Sequence, residues 1–208
     1  MEAQTVHLYV FDGMADWEAA FAIAGINHPR FQREPGRFRV RTVGQTPAHI
    51  ATMGGVRIQP DLALDDLNPT GSAMLILPGG ESWEREANPA LIRKVDDFLG
   101  TGIPVAAICA ATLALARAGF LDNRLHTSNS ADYLRATGYR GASLYRNIPA
   151  IADGHLITAS GAAPIEFAYQ IFGMLGVYTD PMLDAWFALF RQGDASKYSA
   201  LAAEARQA

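Results

Sequence analysis

The feature that most constrains this chain is a repeated alternation of short unbroken apolar runs with longer amphipathic stretches. An apolar run too short for a helix reads as a strand buried on both faces, while the longer stretches carry helical spacing. Residues 6–11, 38–43, 74–77 and 104–108 are runs of the first kind; 16–27, 89–99 and 110–118 are helices of the second. Such repeats build a parallel sheet with helices on both faces, so a flavodoxin-like three-layer α/β sandwich with a mostly parallel central sheet is expected. Helix 16–27 is expected to turn Trp17, Ala20, Phe21 and Ala24 inward. Pro89 stands at a first helical turn, where its missing N–H would be unpaired anyway. Residues 50–59, interrupted by Gly54 and Gly55, and residues 150–158, around Asp153 and Gly154, read as hairpins. A helix over 162–176 follows, then two more helical stretches broken at Gly193. The expected organisation is a domain over 1–180 and a helical extension over 181–208 packed on it.

Half of the residues are hydrophobic and 18% are charged, which supplies a large core and argues against disorder. A net charge of -4 without a Lys/Arg run offers no footprint for nucleic acid or an anionic membrane. No apolar run is long enough to span a bilayer. The opening residues lack a basic region followed by an apolar stretch, and a lone cysteine makes no internal disulfide, so a cytoplasmic location is expected. The five histidines form no His/Cys pairs at zinc-ligand spacing.

Ligands of parallel sheets bind at the carboxyl ends of the strands. Residues 12–18, the turn Pro78-Gly79-Gly80, and Cys109-Ala110 all fall at such ends and are expected to converge. Cys109 stands where a buried strand becomes a helix. A nucleophile on so sharp a turn needs small residues two positions to either side, and Ala107 and Ala111 supply them. The start of the following helix would favour thiolate. A buried structural cysteine is the alternative reading.

The run Val105-Ala106-Ala107-Ile108-Cys109-Ala110 follows Leu75-Ile76-Leu77-Pro78-Gly79-Gly80 and precedes Ala118-Gly119-Phe120-Leu121. Together these resemble the DJ-1/PfpI (ThiJ/PfpI) superfamily, relatives of class I glutamine amidotransferases. The opening segment from Val10 to Glu18 resembles the first strand and loop of that superfamily, and the segment from Gly154 to Phe167 its last hairpin and helix. The resemblance implies a strained Cys109 whose sulfur accepts a hydrogen bond from a protonated Glu18. Burial beside a thiolate would raise the carboxyl pKa and keep it a donor. Read alone, Glu18 is a helix-start acid like Asp16. Gly79 and Gly80 let backbone approach a ligand, and with the Ala110 N–H they are candidates for an oxyanion hole. A plain turn is the simpler reading. The resemblance also implies a homodimer, and no cofactor or metal.

Departures bear on the chemistry. The protease-like members carry His directly after the nucleophile, where this chain has Ala110. His126, at the end of a strand expected beside that of Cys109, is the nearest candidate in sequence; Thr127, Ser128 and Asn129 are further polar ones. The frequent Arg-Gly-Pro after the last hairpin is replaced by Ser160-Gly161-Ala162, which removes a charge from the pocket region. His7 reads as a packed or edge residue, His155 as exposed, and His28 and His49 as loop neighbours. The stripe Trp186, Phe187, Phe190 reads as core or dimer contact. The function expected is a cofactor-free hydrolase or glyoxalase-like hydratase acting on small carbonyl or amide compounds through Cys109, with Glu18 (or His126) shuttling the proton. A redox-responsive stress protein in which Cys109 is oxidised is the alternative. A glutamine amidotransferase is disfavoured because no His stands two residues before Glu166, and a protease because no His follows Cys109.

Overall fold

A computed structural model describes residues 2–85 and 88–204. The apolar runs become β1 (Gln4–Tyr9), β2 (Phe38–Gly44), β6 (Ser72–Leu77) and β7 (Val105–Ile108), joined by short β5 (Leu62–Ala63) and by the hairpin β8 (Ala150–Asp153) and β9 (Leu156–Ala159). They form one seven-stranded sheet in the order β5-β2-β1-β6-β7-β9-β8. Every pairing is parallel except β8 with β9. A small antiparallel pair, β3 (Ile50–Ala51) and β4 (Arg57–Ile58), makes the expected hairpin outside the sheet.

The unbroken apolar runs follow from burial on both faces. Met74 and Ile76 join a core with Ala106, Ile108 and Ile157, whereas Leu75 and Leu77 join another with Val105 and Ala107. Successive strand side chains point to opposite faces, so both sets must be apolar. The first core is covered by α1 (Asp16–Asn27), α6 (Pro164–Leu175) and α7 (Asp180–Gln192), contributing Ala22, Ile26, Phe167, Phe172 and Trp186. The second is covered by α3 (Pro89–Gly100) and α4 (Ala111–Arg117) through Leu91, Val95, Phe98, Leu113 and Leu115. Short α2 (Ser82–Arg85) and α5 (Ala131–Arg135) lie in the connections, and α8 (Ser196–Glu204) follows α7. Asn88 caps α3, accepting the Leu91 N–H at 3.0 Å, with Pro89 in the first turn. Gly193, at φ 70°, separates α7 from α8.

Two expectations are corrected. Helix α1 buries Glu18, Ala19, Ala22 and Ile26 against the sheet, not the stripe of Trp17, Ala20, Phe21 and Ala24. The helix is apolar almost all round, so periodicity did not single out a face. Its outer stripe is partly roofed by α7 instead, through Phe21 against Trp186 and Phe190. Nor does a strand end at His126. The neighbours of β7 are β6 and β9, and His126 makes only an isolated bridge to Tyr145. None of the described helices is long and apolar enough to cross a membrane.

Candidate active site around Cys109

Cys109 extends the ladder of β7 by one bond, its N–H donating to the Ala159 carbonyl at 3.0 Å, and then turns sharply into α4. The turn places Cys109 at φ 58°, a left-handed conformation shared among described non-glycine residues only by Phe31. Holding such a residue there costs on the order of 1–3 kcal/mol, which the surroundings must over-determine. They do so here with small residues and fixed hydrogen bonds. Ala107 and Ala111 are fully buried, and the Cys109 carbonyl accepts from the Thr112 N–H at 3.1 Å and hydroxyl at 2.6 Å. The Thr112 hydroxyl is paired in turn with Ser128 at 2.7 Å.

The three segments expected to meet do meet. Ala15 donates to the Gly79 carbonyl at 3.0 Å, and Met14 bridges to Gly80. Glu18, 1% exposed, reaches from the first turn of α1 and accepts the Gly79 N–H through Oε2 at 2.5 Å. The closeness of packing is measured by two glycines. A Cβ on Gly79 would lie 2.7 Å from the Cys109 Cβ and 2.8 Å from Glu18 Oε2. A Cβ on Gly161 would lie 2.7 Å from the Cys109 sulfur and 3.2 Å from Glu18 Oε1. Carboxyl, sulfur and two backbone segments therefore occupy one small volume. Asp16, two residues earlier in α1, serves the β3–β4 hairpin, accepting from Thr52 Oγ1 and the Gly54 N–H.

Electrostatics follow from that burial. Desolvation raises the Glu18 pKa, against the pull of the Gly79 N–H and of Cys109. The Cys109 thiol is likewise pushed up to about 11, chiefly by burial and further by the Glu18 charge, against the pull of the Asn129 amide and the Ala110 N–H. The expectation that the start of α4 would make Cys109 a thiolate thus meets a stronger opposing cause. Burial thus penalises the charged form of both neighbouring groups, and a charge on Glu18 makes the thiol harder still to ionise.

Asn129 reaches the sulfur among the polar candidates near His126. Its Nδ2 donates to Sγ at 3.3 Å while its Oδ1 accepts the Gly161 N–H at 2.9 Å. His126 is fully buried, its Nδ1 paired with the Arg124 carbonyl at 2.7 Å and its Nε2 with the Tyr139 hydroxyl at 2.9 Å. Both ring nitrogens are committed away from Cys109. Thr127 is spent on Thr158 and Ile148. The Gly79 N–H is committed to Glu18, which leaves Ala110 N–H and Asn129 Nδ2 as the donors directed at the sulfur. The exposed Trp17 indole donates to the Gly161 carbonyl at 3.3 Å.

A hollow of about 280 Å3 flanks Asn129 and Ser160 and includes Arg191. Arg191 reaches this flank from α7 as half of an ion pair, bound to Glu166 at 2.5 Å. Sequence reasoning missed this contribution because nothing local links residues 160 and 191. Among the described residues, no group of three or more His, Cys, Asp or Glu side chains is placed to share a metal ion.

Two Bacillus subtilis (strain 168) proteins are similar over most of their length. One, named "Uncharacterized protease YoaZ", is 41% identical over 192 residues, 91% of each chain. The other, "Uncharacterized protease YdeA", is 32% identical over 188 residues, 88% of this chain and 89% of its own. A solved thiJ/pfpI family protein from Bacillus anthracis superposes with a TM-score of 0.89 at 38% identity, covering 97% of this chain and 96% of its own. Residues 4–174 match the DJ-1/PfpI family, spanning both the Glu18 loop and the Cys109 turn. The chain belongs to the DJ-1/PfpI family.

Proposed function

We propose that this protein is a cofactor-free enzyme that adds Cys109 to small carbonyl compounds, with Glu18 as the proton carrier, and returns the product by hydration. The observation that carries this reading is the shared pocket of the Cys109 sulfur and the Glu18 carboxyl, in which neither group is comfortable charged. As the sulfur bonds to a carbonyl carbon, the thiol proton passes to Glu18 and the π electrons move to oxygen. Glu18 then delivers the proton to that oxygen, giving a neutral hemithioacetal. With an α-oxoaldehyde, the carbon-bound hydrogen then moves as a proton to the adjacent carbonyl carbon and the hydroxyl proton to the adjacent oxygen, which leaves a thioester. Water cleaves it to a hydroxy acid, so the net change is addition of one water. Donors near the sulfur, Ala110 N–H and Asn129 Nδ2, are suited to steady the oxygen as charge develops.

The word protease in the relatives' names points to hydrolysis, and a Pyrococcus abyssi relative named a deglycase matches over 36% of this chain. Among the described residues no histidine is hydrogen-bonded to Cys109, which favours carbonyl addition over peptide cleavage. The test is lactate formation from methylglyoxal by wild type and Cys109→Ala. Loss of turnover in the variant is expected; equal turnover in both, or none in either, would overturn the reading. Asn129 and Glu18 around a half-buried thiol support a second reading, oxidation of Cys109 by peroxide to a sulfinate held by those groups.

A further inference from the structure

Between α1 and the two C-terminal helices lies a cavity of about 420 Å3 that shares no residue with the surroundings of Cys109. Ala20, Phe21, Ala24, Tyr178, Trp186 and Leu201 line it, and the last three are almost wholly buried. The hollow originates in the sequence. Small residues on the outer face of α1 meet aromatic ones across it, and the Trp186 and Phe190 rings stand on Phe21 at 6.3 and 5.5 Å. Those contacts hold the C-terminal helices off Ala20 and Ala24. Protein interiors are close-packed, and an apolar space of this size falls in the range of small-molecule sites.

The mouth carries positive charge. The exposed Arg30 guanidinium lies 4.9 Å from the Phe31 ring centroid and 5.3 Å from that of Tyr198. It makes no ion pair among the described residues. The Arg30 backbone N–H donates to His28 Nδ1 at 3.3 Å, which puts the ring proton on Nε2, a donor without a partner among the described residues. Phe31 is held at φ 73°, a conformation disfavoured for a bulky side chain, and stands edge-on to Tyr198 at 6.2 Å. Strain of this sort is retained where ligands are clamped.

We propose that this cavity binds a small amphiphile, its apolar chain lying over Ala20 and Ala24 and its carboxylate held at the mouth by Arg30 and His28. The site is independent of Cys109 chemistry. Calorimetric titration of the full chain with octanoate tests it, with octanol and octylamine as head-group controls. Octanoate is expected to bind at least about tenfold more tightly than either control, a preference that requires a cation at the mouth. Arg30→Gln should reduce octanoate to the level of octanol, Ala24→Trp on the exposed face of α1 should abolish both, and Cys109→Ala should change neither. Absent binding at millimolar octanoate, binding indifferent to Arg30→Gln, or a preference for octylamine would overturn the proposal. So would a dimer in sedimentation velocity that Ala24→Trp dissociates, because a second copy would then be the occupant. If Ala24→Trp does not fold, Arg30→Gln with an unchanged circular dichroism spectrum decides the matter.

Discussion

Asn129 donates to the Cys109 sulfur at 3.3 Å, and the same side-chain amide accepts the Gly161 N–H at 2.9 Å. One amide group thus orients itself, because its oxygen is fixed by backbone and its nitrogen is left facing the thiol. Asn129→Asp keeps the bond from Gly161 but replaces the donor with a negative oxygen. The thiol should become harder to ionise by about one pKa unit, or about tenfold less thiolate at a given pH. The rate of iodoacetamide alkylation at pH 8 measures this directly. A rate equal to wild type would remove Asn129 from the site.

Glu18 and Cys109 make a prediction about pH. With burial and the Glu18 charge together holding the thiol near 11, wild-type alkylation should rise steadily through the free-thiol value of about 8.5 without levelling. Glu18→Gln removes the charge and offers an N–H in its place. The thiol should ionise more readily, so the curve should bend at lower pH and the rate at pH 8 should rise. Turnover should nevertheless fall, since the proton carrier is gone. A wild-type plateau below pH 8.5 would show that the start of α4 outweighs burial.

Gly161 is not in a left-handed conformation, so torsion does not require glycine there. Space does: its Cβ would fall 2.7 Å from the sulfur, and the strained Cys109 backbone has little freedom to retreat. Gly161→Ala should lower stability by about 1–3 kcal/mol, the usual range for overpacking, and abolish turnover. Urea denaturation and methylglyoxal turnover read the two effects separately. An active variant of unchanged stability would mean that the pocket is looser than its contacts imply.

The sheet was legible because strands buried on both faces must be apolar throughout: the residues from Met74 to Leu77 and from Val105 to Ile108 admit few other readings. The convergence of Glu18, Gly79 and Cys109 followed from the rule that parallel strands gather their ligands at one end. What periodicity missed was what depends on tertiary contact. The inward face of α1 was invisible in a helix apolar on nearly all sides. His126 and Asn129 are three residues apart, and no local pattern tells that Tyr139 takes the histidine while Gly161 fixes the amide. Arg191 enters the flank of the site only because α7 folds back on α6. The small residues around Cys109 fit the sharp turn expected there, but the packing they allow also encloses the thiol, and burial opposes the thiolate expectation.

His7, read from the sequence as a packed histidine, lies in β1 with its Nδ1 3.0 Å from the Ser72 hydroxyl, which itself donates to the Asn68 carbonyl at 2.8 Å. The hydroxyl hydrogen being used, the His7 ring donates through Nδ1 and is neutral in the fold. Burial lowers its pKa to about 4 from an ordinary 6.5, Arg41 adds to the effect, and Asp61 opposes it. The unfolded chain therefore binds a proton that the native state refuses between those two values. Stability is fully present above pH 6.5 and is lost as pH falls toward 4, on the order of 2 kcal/mol for this group after allowance for solvent screening. His7→Asn keeps a donor for Ser72 without a titrating ring. In urea denaturation from pH 7 to pH 4, the stability difference between wild type and variant should shift against wild type by that amount. Parallel curves over the whole range would show that His7 takes its proton in the folded protein as readily as in water.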